Sequence, residues 1–492
     1  MNSTVLLSDV PRCLRLSDVF VGDPAVRVVA SPGWRDAWRD RATPTDGAEA
    51  FRRDAVEQCL DLVGVLRGYR EPQDGEHWRT PAGSEERLLA QVSAILGLGG
   101  TALHHVRALA IDEDLPDPGR VFAALFVLGC VEGSTWLEAI REVFVTAVAR
   151  HPQEAAAAVE ALCLAPNPGI ADLLHPLLAD ERWRLRAAAV RVLAYREALD
   201  DAAWRHAAQD LEPGVAQAAL GAPLWRLDPG GCETVLASIA ARTEAPEALV
   251  AAALRAGATH GMNALHGIAL KRAAHSAAWA DALHAVALHG RPEDAPLLRA
   301  ALGTGDRWLA VRAAGRLGAV SLMPDLVGLL LETPCTPEEA KQLHAAIHAI
   351  SGLPVDAKGV WRQTWHDRAE AYREDRRYIE GQEAAPRWLL SLLCAPTAAR
   401  PTRQALYASL CLAARTSLPR FNAYDFVGEQ VQALCRIGAA LGISRSAAEH
   451  AAAEHAAAGQ PMAGPPTGGQ TSDGHADAGH APAAGGQRIP HG

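Results

Sequence analysis

Apolar residues return every third or fourth position along most of this chain, and the residue at the centre of each apolar run is small. In WRLRAAAVRVLAYR (183–196), Leu185, Ala189 and Leu193 share one helical face. WLAVRAAGRLGAV (308–320) repeats the arrangement with Leu309, Ala313 and Leu317. With the central alanine as a marker, Ala124, Ala189, Ala219 and Ala313 stand two, one and three units apart, each unit being about 31 residues. Weaker copies fill the empty places at 154–165, 247–258, 279–290 and 340–352. Second amphipathic helices are predicted between them at 170–180, 233–241, 294–303 and 322–332, with Pro166, Pro168, Pro213 and Pro229 where helices should stop. A lone helix pair cannot bury both of its apolar faces, so such units must stack, and a small central side chain lets stacked axes approach to about 8–10 Å.

Outside the repeats the pattern changes. Residues 1–85 show no repeat: 16–34 carries β-branched stretches that suit short strands or an extended arm, and 51–69 has helical period. After 353 the chain predicts a polar helix over 361–382, then helices near 386–394, 402–415 and 427–441. From 445 to 492 it becomes rich in Ala, Gly and His with almost nothing to bury, which predicts disorder. The expected organisation is an irregular N-terminal arm and helix (1–85), an α-solenoid (86–352), a helical C-terminal cap (353–444) and a disordered tail (445–492).

The Val/Leu–Arg…Ala…Leu-Gly character of these helices resembles HEAT-type repeats. That resemblance implies an all-α fold, a right-handed α-solenoid of about eight helix pairs. In such repeats an Asp in the turn often pairs with an Arg early in the second helix, a spacing found at Asp180/Arg186 and Asp306/Arg312. A narrower likeness runs from ERLLAQVSAILGLGGTAL (86–103) through AISGL (349–353), WRQTW (361–365), RRYIEGQ (376–382) and QALYASLCLAAR (404–415). These segments are similar to a proteobacterial family of HEAT-repeat proteins, some of them encoded among type VI secretion genes. No catalytic residues are carried over from it.

Composition narrows the function classes. Aromatics are only 5% of the 492 residues, so Ala and Leu must supply the packing. A net charge of −10 disfavours a general nucleic-acid binder, which needs a basic surface. The nine Cys are dispersed, with no CxxC and no zinc spacing, which fits a reducing cytosol. The N-terminal stretch lacks the basic and apolar regions of a signal peptide, and no apolar run reaches a membrane span of about 20 residues. A cytoplasmic protein is therefore expected.

Motifs for chemistry are sparse. His344 and His348 have the i, i+4 spacing of metal ligands, but no Glu completes HExxH, and the chain lacks the His-Glu dipeptides of HEAT-like metal hydroxylases. Phosphate-loop, dinucleotide and nucleophile-elbow motifs are missing. No catalytic residue, cofactor or metal is expected. Segment 361–420 holds ten Arg against six acidic residues, reversing the overall charge. Trp361, Trp365, Arg373, Arg376, Arg377 and Tyr378 cluster there, and they read either as a handle for a protein partner or as the cap of the solenoid end. The expected function is a non-catalytic protein–protein scaffold or adaptor, with type VI secretion as its sharpest form. The alternative is a HEAT-like enzyme of the bilin lyase or DNA glycosylase kind.

Overall fold

The alanine-marked segments are helices, and they lie side by side. The structure, a computed structural model, describes residues 46–73, 75–111, 117–275, 280–304, 307–355, 359–396, 399–414 and 418–443. The 16–34 segment, Asp306 and the 445–492 tail lie outside the described residues. Among the described residues the chain forms twenty-two α-helices and one two-stranded hairpin. Pro118–Leu128, Pro152–Leu164, Trp183–Tyr195, Pro213–Leu220, Glu247–Thr259, Ala280–His289, Arg307–Leu317 and Pro337–Ser351 make one continuous row, each packed on the next. These are the eight places the repeat spacing marks. The expected all-α, HEAT-like helical repeat is the fold observed.

The second row comprises Ser134–Arg150, Gly169–Leu174 with its 3-10 extension His175–Ala179, Asp201–Ala208, Pro229–Ala241, Asn263–His275, Ala295–Leu302 and Met323–Glu332. Its members touch one another less than the alanine-rich helices do. Closer spacing on one row than on the other curves the stack, so the alanine-rich row lies on the inside. Asp46–Gly68 packs against Pro118–Leu128 and so lengthens the inner row at its N-terminal end. The helices cross where Gly64 faces Gly119: a Cβ on Gly64 would lie 3.1 Å from the Gly119 carbonyl carbon.

The seam is dry and close. Leu185, Ala189 and Leu193 are all buried. In the later copy Ala313 and Leu317 are buried as expected, with Ala310 and Ala314 buried beside them, whereas Leu309 is only half-buried. A Cβ on Gly315 would sit 2.8 Å from Ala346 Cα, so the two helix backbones nearly touch there. Pro213 and Pro229, which the sequence marks as stops, instead open helices. Each occupies the first helical turn, where a missing N–H costs nothing, and Asp228 caps the second helix by accepting from the Gly230 and Gly231 amides.

Two further expectations are corrected. The Asp180 carboxylate pairs with Arg182 at 2.9 Å, whereas Arg186 reaches forward to Asp210 with a two-pronged contact of 2.9 and 3.0 Å. Arg186 touches Asp180 only through the main-chain carbonyl, at 2.8 Å, so the Asp–Arg ladder runs between repeats rather than within one. The polar helix expected over 361–382 covers only Val360–Arg368 and a 3-10 turn at Ala369–Ala371. Tyr378–Ile379 and Gln382–Glu383 then pair as antiparallel strands. Glu380 (φ 51°) and Gly381 (φ 79°) form the two-residue turn, which needs positive φ at both positions. The hairpin is held by the ends of two inner helices: Tyr378 N–H donates to Gly318 O at 2.8 Å and Glu380 N–H to Ala349 O at 2.7 Å.

Ala189→Leu should therefore destabilise the fold by about 1–3 kcal/mol, because the added bulk forces two stacked helices apart. Urea unfolding of the two proteins checks this, and equal midpoints would place the seam elsewhere.

Candidate binding cleft

The last three helices, Pro386–Cys394, Arg400–Ala414 and Val427–Ala440, have a small core of their own built on Leu389, Leu393, Tyr407, Leu410, Phe421, Leu434 and Ile437. They do not simply prolong the stack; they fold back onto its inner face. Trp78, from the N-terminal region, completes their core, its amide donating to Pro396 O at 2.8 Å and its indole N–H to Cys394 O at 3.4 Å. Phe426 inserts into the core of the repeats and lies 5.7 Å from the Phe126 ring.

A buried ion pair anchors this return. Arg70 and Glu85 are almost fully buried and 3.2 Å apart. Glu85 accepts from the Val427 amide at 2.7 Å, and Arg70 donates to Tyr424 O at 3.0 Å. Burial pushes the Glu85 carboxyl up, while Arg70 and the Val427 N–H pull it back towards the charged form. Arg403 lies flat on Trp78, 3.8 Å from the ring centre, and burial lowers its guanidinium to about 9.

Between the returning helices and the inner helices Trp183–Tyr195, Pro213–Leu220 and Glu247–Thr259 is a cleft of about 700 Å³. Its walls are aromatic (Tyr195, Trp225, Tyr407, Phe421, Tyr424) and small (Ala194, Ala218, Ala222, Ala252, Ala256). Arg191, Gly221 and Arg255, one from each successive repeat, also line it. Arg420 joins the two sides. It donates to Tyr195 O at 3.1 Å and pairs with Asp425 at 3.1 Å and Glu197 at 3.7 Å, while the Tyr195 hydroxyl donates to Asp425. Glu197 holds a left-handed backbone (φ 54°) uncommon for a side-chain-bearing residue, and its carboxylate binds Arg226 at 2.8 Å.

A histidine and a tyrosine of the cleft have fixed hydrogen-bond partners. His260 packs at a tilt against Trp225 with ring centres 4.0 Å apart and accepts the Leu224 N–H at 3.3 Å, which fixes the proton on Nδ1. Burial lowers it to about 4. Tyr407 donates to Pro419 O at 2.9 Å. Cys411 lines an adjoining cavity of about 140 Å³, and burial pushes its thiol up to about 11. None of these groups is poised as a nucleophile beside a base. Among the described residues, no cluster of three or more His, Cys, Asp or Glu could hold a metal ion. His348 is engaged with Leu353 O at 3.1 Å.

The six residues singled out near the C-terminus sit elsewhere and do not form one surface. Trp361 and Tyr378 are buried in the main core. Trp365 packs on Tyr372 at 5.0 Å and Tyr372 on Tyr378 at 4.7 Å, an aromatic ladder beneath the hairpin. Arg377 points inward and donates to Arg316 O at 3.1 Å, and burial together with Arg316 lowers it to about 10. Only Arg373 and Arg376 are exposed, each paired with the chain's own acids, Asp375 at 2.9 Å and Glu383 at 3.0 Å. The cleft escaped the sequence reading because its sides are some two hundred residues apart, joined by no local spacing.

Fold and cleft together define a HEAT-like helical-repeat protein whose C-terminal helices occupy its own inner face. No protein-family model matches the chain, and no curated protein matches it. Among solved structures, that of YibA from Escherichia coli aligns at 12% identity over 56% of this chain and 98% of its own, with a TM-score of 0.32. An engineered protein aligns at 15% identity over 82% of this chain and 98% of its own, with a TM-score of 0.23. The Kap95:Nup1 complex aligns at 12% identity over 87% of this chain and 54% of that one, with a TM-score of 0.29. At such scores the architecture stands on the chain's own packing. No single helix among the described residues is long and apolar enough to cross a membrane.

Trp361→Ala should cost about 3–5 kcal/mol by emptying a core position. Arg376→Glu should leave the denaturation midpoint unmoved, and chemical denaturation of both variants tests the difference. A second expectation concerns pH. Burial depresses His260 from its ordinary 6.5 to about 4, and likewise His284 and His289. Their contribution is therefore whole above pH 6.5 and lost as pH falls towards 4, since the unfolded chain takes up protons the folded one refuses. Melting temperatures across that window should fall, and His260→Gln should flatten the fall.

Proposed function

We propose that this protein is a non-catalytic scaffold or adaptor that holds a protein partner against the inner face of its repeats. The carrying observation is the cleft: a preformed recess of about 700 Å³ on a packed scaffold, lined by Arg191 and Arg255. A rigid recess binds with little ordering cost, which suits an adaptor. The committed hydrogen bonds of His260 and Tyr407 and the protonated Cys411 thiol favour binding over covalent chemistry. The likeness of 86–103, 349–365, 376–382 and 404–415 to a family partly encoded among type VI secretion genes supports the finer form. In it the chain is a cytoplasmic bacterial accessory that assembles or loads a component of that system.

The test is capture from the native cytosol by full-length protein and by Arg191→Glu/Arg255→Glu, followed by mass spectrometry. A partner bound by the first and lost by the second, with both melting alike, is the expected result, and a secretion component among the captured proteins supports the finer form. An identical set from both baits moves the interface off the cleft. Visible absorbance in the purified protein, or salt-sensitive retention on DNA, would turn the reading to a lyase or a glycosylase.

A further inference from the structure

Resting on the scaffold reading, we propose that the cleft takes an acidic polypeptide segment of the partner, bound extended from Arg191 to Arg255. The chain carries −10, yet the Asp, Glu, Lys and Arg side chains lining the cleft are Arg191, Arg255, Arg420 and the single Glu197. Glu197 is matched by Arg226, just as Asp281 and Asp425, also outside the lining, match Arg255 and Arg420, which leaves Arg191 as the unmatched cation among the lining residues. Arg420 is engaged with Asp425. Arg255 is bound to Asp281 at 3.0 Å, but both side chains are more than a third exposed, so that pair opens readily to a competing carboxylate. Arg191 is exposed and has no hydrogen bond or ion pair among the described residues.

Shape and backbone chemistry then choose the kind of anion. Gly221, from the repeat between those that carry the two arginines, also lines the cleft and puts no side chain into it. Two interaxial steps of about 8–10 Å separate the arginine-bearing helices by about 16–20 Å, which an extended strand at about 3.3 Å per residue spans in about five or six residues. Tyr195, Leu220 and Thr259 close three inner helices at the cleft, which places three helix C-termini there. Most of their last carbonyls already accept within the chain, Leu193 O from the Ala198 amide, Tyr195 O from Arg420 and Gly257 O from the Met262 amide. Helix C-termini disfavour a concentrated negative charge such as phosphate, which is held by helix N-termini, more than they disfavour single carboxylates spaced along a peptide, each of which can sit at an arginine. Trp225, Tyr407 and Tyr424 supply an apolar wall for the side chains between the acids.

The probe is a phage-displayed library of random twelve-residue peptides panned on the full-length protein, with the most enriched peptide then synthesised and labelled. The expected result is enrichment of Asp and Glu about five or six positions apart. Kd should rise at least tenfold in Arg191→Glu and in Arg255→Glu, and should be unchanged in Arg376→Glu, whose arginine lies on the hairpin. Melting temperatures should match, and Arg191→Gln serves as a milder second variant. Millimolar inorganic phosphate should not compete. Neutral or basic peptides, equal affinity across the three charge reversals, displacement by phosphate, or no enriched peptide would each overturn the proposal. Should native capture still depend on Arg191 and Arg255 in such a case, the scaffold reading survives and only the acidic segment is lost.

Discussion

How near two helices can come is set by the side chain between them, and in this chain that side chain is a methyl group or a hydrogen. Ala189, Ala219 and Ala314 are buried at the inner seam, and Gly315 presses on Ala346. The outer helices touch one another less and spread. The difference bends the stack, the bend makes an inner face, and the inner face receives the C-terminal helices. A chain with 5% aromatics spends several of them at this junction: Phe126 against Phe426, and Trp225 against Tyr407.

The return of the C-terminus is fixed by polar chemistry rather than by apolar area alone. Burying Arg70 and Glu85 side by side is costly unless every donor and acceptor is met, and a buried pair adds little net stability over an apolar substitute. Its contribution is positional. The pair is satisfied when the Tyr424 carbonyl and the Val427 amide arrive together, so it defines where the last helices sit. The cleft inherits that definition, because Phe421, Asn422 and Tyr424 are part of its wall.

The inner helices were legible because a period of about 31 residues, carried by small buried residues, survives in every copy. The outer helices Ser134–Arg150, Asp201–Ala208 and Asn263–His275 were not singled out, since their burial is one-sided and their small residues mark no seam. Pro213 and Pro229 were misread because proline ends one helix and begins another with equal ease, and only the capping partner distinguishes the two. The hairpin carried a readable signal, Glu380-Gly381 after Tyr378-Ile379, hidden by a charged run that suits a solvated helix. Trp361, Tyr378 and Arg377 left handle and end cap both open, because aromatic and cationic residues at short spacing do not reveal which way they point. The cleft was beyond reach: its two sides meet only after the chain has turned back on itself.

That turning back alters what kind of polymer the protein is. A stack of repeats in contact only with neighbours behaves as a one-dimensional lattice, able to form or fray piecemeal from either end. Bonds from Trp78 to Cys394 and from Arg70 to Tyr424 join residues more than three hundred positions apart, which couples the N-terminal region to the C-terminal helices across the stack. Such contacts raise contact order and make completion wait on a long loop closure. During synthesis the N-terminal repeats emerge first, their inner face uncovered and Phe126 without Phe426 until the final helices leave the ribosome. The same architecture that yields a sheltered recess thus imposes an interval in which the nascent chain shows an apolar surface to the cell.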